Sequence, residues 1–233
     1  MYHTFTILRY TNMKIDIPTS LADITLGEYL RLRSKKEEEH SEDVYNEHLI
    51  VALTTLSKRQ TRQLTAKSRA TLVNRLRSVL AEQKHSLQLT VKVGQVELGF
   101  IPNLDRITFG EFIDLDKFSK DEADWPKLMK VLYRPIAEWD RSRYRLTSYD
   151  AKSDSIDYEM MPMSVVLGAL VFFCDLGTDL LIATLRSLKQ EATLKSPSTT
   201  LDSNGVGMEP YIGLLGATYY DLKKYRKSLC INV

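Results

Sequence analysis

The chain has 233 residues, 43 % of them hydrophobic and 27 % charged, an ordinary globular composition with enough apolar residues for one domain or two small ones. Its 32 Lys and Arg against 30 Asp and Glu leave a net charge of +2, too weak a field to make nucleic acid or an anionic membrane the obligatory partner. Two cysteines, Cys174 and Cys230, exclude a disulfide scaffold or a cysteine-based zinc site and fit a reducing, intracellular setting.

The opening Met1-Tyr2-His3-Thr4-Phe5 lacks the basic stretch and apolar run of a secretory signal and reads as mature sequence. Phe5 and Ile7, a break at Thr11-Asn12, then Met13, Ile15 and Ile17 predict a β-hairpin. Ile17-Pro18-Thr19-Ser20-Leu21 leads into Ile24-Thr25-Leu26-Gly27-Glu28-Tyr29-Leu30. Thr25 and Glu28 stand at capping-box spacing: the Thr hydroxyl accepts from the third-position backbone N–H, and the carboxylate accepts from the cap N–H, so a helix starts there. Tyr45, Leu49, Ala52, Leu53 and Leu56 form one apolar stripe and predict a helix from Val44 to Leu56. Leu64, Leu72, Leu76, Val79 and Leu80 share a face of a further helical segment over about residues 58–84.

The same punctuation returns in the second half. Leu87, Leu89, Val91 and Val93 alternate up to Gly94-Gln95, and Val96, Leu98 and Phe100 alternate after it, a hairpin with a glycine-first II′ turn. Ile101-Pro102-Asn103-Leu104 leads into Ile107-Thr108-Phe109-Gly110-Glu111-Phe112-Ile113, with Thr108 and Glu111 as a second capping box. Trp125-Pro126 opens a helix carrying Leu128, Met129, Val131 and Leu132, which Pro135 stops. The tyrosine-rich stretch from Trp139 to Tyr158, with Tyr144 and Tyr149, reads as a long irregular connection packed by aromatics. Met163 to Cys174 is a buried helix, short of the roughly 20 apolar residues that a bilayer span needs, and a second helix, Leu176 to Leu194, follows a break near Gly177.

After Leu194 the composition becomes polar and aperiodic, a linker over residues 195–209. In residues 210–233, Ile212, Leu215, Tyr219 and Leu222 form the apolar stripe of a helical arm whose last turns carry Lys223, Lys224, Arg226 and Lys227. This stripe is the predicted protein-contact surface, packing on its own chain or on a neighbour. The expected fold is α+β and predominantly helical: related hairpin-plus-helices units at 1–86 and 87–194, the linker, and the arm.

Two carboxylates in repeated motifs could serve acid–base chemistry, but Glu28 and Glu111 at helix N-termini are better explained as caps held ionised by the helix dipole. No nucleotide-binding glycine loop, nucleophile elbow or zinc-protease motif occurs; His40 and His48 are eight positions apart, and no catalytic, cofactor or metal site is predicted. Residues 58–84 carry eight basic side chains against Glu82, while residues 105–124 carry seven acids against three bases. Such a basic run is a solvated helix face, a protein contact, or a track for a phosphate backbone.

Pro102-Asn103-Leu104 with Ile107 to Asp116, Val131-Leu132-Tyr133-Arg134-Pro135, and Val166 to Phe173 resemble small proteins from the structural gene block of tailed bacteriophages, especially the crAss-like phages of gut Bacteroides. The likeness covers most of residues 13–190 and leaves out the arm. It implies a non-enzymatic virion protein made in the host bacterial cytoplasm, a homo-oligomeric ring subunit of the tail or portal-proximal neck that contacts the portal or neighbouring rings. A tail-assembly chaperone outside the virion is the alternative, and an accessory protein binding nucleic acid through residues 58–84 a third reading.

Overall fold

The computed structural model describes residues 3–6, 14–38, 41–82, 85–104, 107–153, 155–194, 220–221 and 223–225. Strands β1 (His3–Thr6) and β2 (Lys14–Ile17) pair antiparallel, Phe5 opposite Ile15, and Ile15 and Ile17 turn into the core. Helix α1 (Leu26–Glu38) begins at the first capping box: the Thr25 N–H donates to Glu28 Oε2 at 2.8 Å, and the Glu28 N–H donates to Thr25 Oγ1 at 3.3 Å. Helix α2 (Glu42–Leu53) follows.

The single helical segment expected over 58–84 is two helices, α3 (Lys58–Arg62) and α4 (Ala66–Leu80). The break has a local cause. Ser57 and Gln60 cap α3 reciprocally, and Thr65 Oγ1 accepts from the Ser68 N–H at 3.2 Å, starting a fresh helix.

In the second unit, β3 (Thr90–Val93) and β4 (Val96–Phe100) turn at Gly94, whose φ of 59° suits the glycine-first turn. Helix α5 (Phe109–Phe118) starts at the second capping box, and α6 (Trp125–Leu132) at Pro126. Hairpin, capped helix, helix is therefore the order in both halves.

Beyond α6 the chain departs from the expected irregular connection. The helix ends at Leu132, because the residue before a proline is pushed into extended backbone, and Arg134 already lies in strand β5 (Tyr133–Asp140). Strand β6 (Arg143–Leu146) completes an antiparallel sheet of order β3-β4-β5-β6, so the start of the supposed irregular connection is a hairpin. Gly99 makes room for it: a Cβ there would fall 2.6 Å from the Tyr144 ring, whose hydroxyl sits 2.7 Å from the Phe100 carbonyl oxygen.

Helix α7 (Met163–Leu194) is continuous, with no break at Gly177. A glycine in a helix interior costs about 1 kcal/mol, less than the hydrogen bonding of 32 residues supplies. By length and composition Met163–Thr184 could cross a membrane, but Val165, Val166, Leu167 and Ala169 are buried within the fold. Burial stops at Cys174, and Leu180 is exposed. The N-terminus of α7 is tied to that of α1 by a bridge between Thr25 and Pro162: the Leu26 N–H donates to Met161 C=O and the Met163 N–H to Ile24 C=O, both at 2.8 Å.

Buried residues from Ile15 to Cys174 form one continuous core. The two halves meet where Tyr29 stacks on Trp125 with ring centroids 5.7 Å apart, beside an Arg33 to Glu122 ion pair of 2.9 Å. The fold is α+β and mostly helical.

Thr25→Ala or Thr108→Ala is expected to lower stability by about 1 kcal/mol through loss of the cap, seen as a shift in denaturant midpoint at unchanged slope. Arg134→Met should cost more, about 3 kcal/mol, because it strands the buried Glu111 carboxylate, which Arg134 Nη1 holds at 2.8 Å.

Candidate functional site

The four predicted capping residues stand where the spacing put them. Thr25 and Thr108 precede helices, and Glu28 and Glu111 close the reciprocal bonds. The two carboxylates are separately occupied: Glu28 accepts from the Thr25 N–H and hydroxyl, while Glu111 accepts from the Thr108 N–H and pairs with Arg134. Of the predicted contact stripe, Ile212, Leu215, Tyr219 and Leu222 lie outside the described residues. Tyr220, Asp221 and residues 223–225 beside them are helical.

The motif copies share a sequence and a cap but differ in burial. In the first, Leu26 and Tyr29 are buried, Leu26 completely. Their counterparts Phe109 and Phe112 are 78 % and 56 % exposed, and Ile113 beside them is 48 % exposed. Phe109, Phe112 and Ile113 stand at i, i+3 and i+4, so α5 shows an apolar stripe where α1 has a covered one. In the first copy Tyr29 is covered by Trp125, on which it stacks, and the helix start by the segment Tyr158–Met163 that carries the bridge to Thr25. It lies so close that a Cβ on Gly27 would be 2.8 Å from the Glu159 carboxylate. A Cβ on Gly110, the matching glycine, meets nothing within 4 Å.

This stripe borders an apolar groove of about 570 Å³ between α5 and α7, lined by Ile107, Phe112, Leu115, Phe173, Cys174 and the ring of Tyr225. Exposed apolar patches larger than a few hundred Å² are uncommon on monomeric proteins and mark binding surfaces. The sequence held the signal in the pairing of Leu26 with Phe109 and Tyr29 with Phe112, but periodicity shows only that a helix has an apolar face, not what covers it.

The basic run is partly neutralised. Arg62 grips Glu47 at 2.6 and 3.2 Å, with the Lys58 ammonium 3.9 Å from the same carboxylate; Arg69 pairs with Asp43 at 3.2 Å, and Arg77 with Glu42. Helix α2 thus neutralises much of α3 and α4, which lowers the charge available to a phosphate backbone. The hydrogen bond from Arg62, reinforced by its charge against the opposing effect of burial, holds the Glu47 carboxyl below the ordinary value of 4.5. Among the described residues no three His, Cys, Asp or Glu side chains converge as a metal site would require.

No protein-family model, curated protein or solved structure matches this chain.

Because Glu47 titrates lower in the folded chain than in the unfolded one, its ionised form stabilises the fold fully above the unfolded value, and this is lost as pH falls through the folded one. The deficit of Glu47→Gln in melting temperature should therefore be largest above pH 4.5 and shrink in more acidic buffer; a deficit unchanged down to pH 2 would count against the pairing.

Proposed function

We propose that this protein is a structural subunit that works by protein–protein contact rather than catalysis, in a tailed-phage particle as a ring of the tail or portal-proximal neck. The observation that carries the contact reading is the uncovered stripe of Phe109, Phe112 and Ile113 beside an apolar groove, on a motif whose other copy has Leu26 and Tyr29 buried. A subunit that closes a ring needs such a surface, since a heterologous contact is buried only when the neighbour is in place. The resemblance of residues 107–116, 131–135 and 166–173 to phage structural proteins supports the virion setting and, with it, copies of this chain, the portal or adjoining rings as partners.

In the full chain, Phe109→Ser with Phe112→Ser should leave the monomer's stability within about 0.5 kcal/mol, because both side chains are exposed. Sedimentation is expected to show an oligomer of the native chain, and the same pair should abolish it together with the chain's incorporation into particles. Unchanged assembly would overturn the contact reading. The chain should also be present in purified virions at a stoichiometry near the portal's; full activity in assembly but absence from virions would favour the tail-assembly chaperone instead.

A further inference from the structure

The first capped motif is covered by a segment with a recognisable sequence, and that sequence occurs a second time. Met160-Met161-Pro162-Met163-Ser164-Val165-Val166-Leu167-Gly168-Ala169 begins the cover and runs into α7. Met208-Glu209-Pro210-Tyr211-Ile212-Gly213-Leu214-Leu215-Gly216-Ala217 repeats it 48 positions later, with Met, Pro, Leu, Gly and Ala at the same places. Leu214 stands for Val166, and Tyr219, Tyr220 and Leu222 continue the apolar character of Val171, Phe172 and Cys174.

Each conserved feature has a physical task in the first copy. Pro162 holds the extended backbone that makes the bridge to Thr25, and it opens α7. Gly168 permits close packing, since a Cβ there would lie 2.3 Å from the Ser86 carbonyl oxygen. On the receiving side, Ile24 C=O and Leu26 N–H take the two backbone bonds. Their counterparts, Ile107 C=O and Phe109 N–H, make no such bond among the described residues.

We propose that residues 208–217 are the cover of the second capped motif: they dock on Ile107–Phe112 of α5, with Met208–Tyr211 bridging to Thr108 as Met160–Met163 bridges to Thr25. The Tyr211 N–H then donates to Ile107 C=O, the Phe109 N–H donates to Glu209 C=O, and the Ile212 and Leu215 stripe buries Phe109 and Phe112. Tyr225, further along the arm, already lines the groove with Phe112 and Leu115. The distances allow this in two ways. From Cys174 at the groove, α7 runs another 20 residues to Leu194, about 30 Å at 1.5 Å per residue. Fifteen residues, the number from 195 to 209, span roughly 20 Å by coil statistics and about 50 Å at full extension, enough chain length for residues 208–217 to reach their own α5 or that of an adjacent copy. This inference rests on the proposed reading only in taking the α5 stripe as a contact surface.

The bridge geometry supplies a test in the full chain. A Cβ on Gly27 would lie 3.0 Å from Glu159 Cβ, about half an ångström inside the usual disulfide separation, so the matching pair, Gly110→Cys with Gly207→Cys, needs only a small shift to form a disulfide. Mild oxidation should link these two positions in the majority of chains, assigned by peptide mapping, while the control Gly110→Cys with Ser203→Cys stays at background. A bond within one chain or between two copies supports the docking, and the mass tells which. No bond in a pair that melts like the native chain would overturn it. Should the pair fail to fold, benzoylphenylalanine in place of Tyr211 must label the peptide containing Ile107 to Phe112 on irradiation, and labelling elsewhere overturns the proposal. Loss of assembly on Phe109→Ser without the cross-link would leave the contact surface standing and refute only this occupant.

Discussion

The bonds from Leu26 to Met161 and from Met163 to Ile24 join parts of the chain more than 130 residues apart, and much of the packing follows from them. A helix start leaves N–H groups without intrahelical partners, and here α1 and α7 satisfy theirs partly through each other. Once they share an origin, α7 runs through the core beside Ser86, which requires a glycine at 168, and Glu159 lies over α1, which requires one at 27. Tyr158 is drawn in as well: its hydroxyl donates to the Tyr133 carbonyl oxygen at 2.9 Å, linking the crossing to the first residue of β5, and burial raises its pKa to about 12. An ordinary-looking loop, Ile156 to Pro162, is thus the seam between the halves.

Against that seam, the second motif is a motif with half its contacts. Its inner side is locked more firmly than that of the first, because Glu111 both caps α5 and neutralises Arg134 on β5. Its outer side has only the groove. Capping is a local property, settled within four residues by Thr and Glu. Burial belongs to whatever arrives from elsewhere in the chain or from another molecule, so equal sequences can have unequal surroundings.

That distinction also sets what could be read from the residues alone. The boxes at Thr25 and Thr108, the turn at Gly94 and the helix start at Trp125-Pro126 are local, and all stand as expected. Where two local signals compete, the outcome depends on neighbours. Pro135 was a sound reason to end a helix, but that Arg134 and Ile136 then extend a sheet depends on β4 lying alongside, with Leu98 opposite Pro135 and Phe100 opposite Tyr133. Gly177 favours a break locally, yet the helix runs through it, and the Thr178 hydroxyl donates to Cys174 C=O at 2.7 Å. The caps that divide α3 from α4, Ser57 with Gln60 and Thr65 with Ser68, are local signals too, and they prevail over the longer leucine stripe.

Charge shows the same limit from the other side. Of the eight cations in the run, Lys58, Arg62, Arg69 and Arg77 pair in space with Glu42, Asp43 and Glu47, and the acidic run is answered by Lys120 on Asp116, Lys127 on Asp124, Arg33 on Glu122 and Arg134 on Glu111. Apart from the buried Arg134–Glu111 pair, exposed pairs of this kind contribute little stability, but they cancel field, and beyond about 8 Å at physiological salt what remains is screened. Long-range attraction therefore does little to select a partner for this surface. Apolar contact at α5 can, because Phe109 and Phe112 gain by burial wherever a complementary backbone satisfies Ile107 C=O and Phe109 N–H. The requirement is specific in shape and direction: an extended residue, a proline, then a helix start.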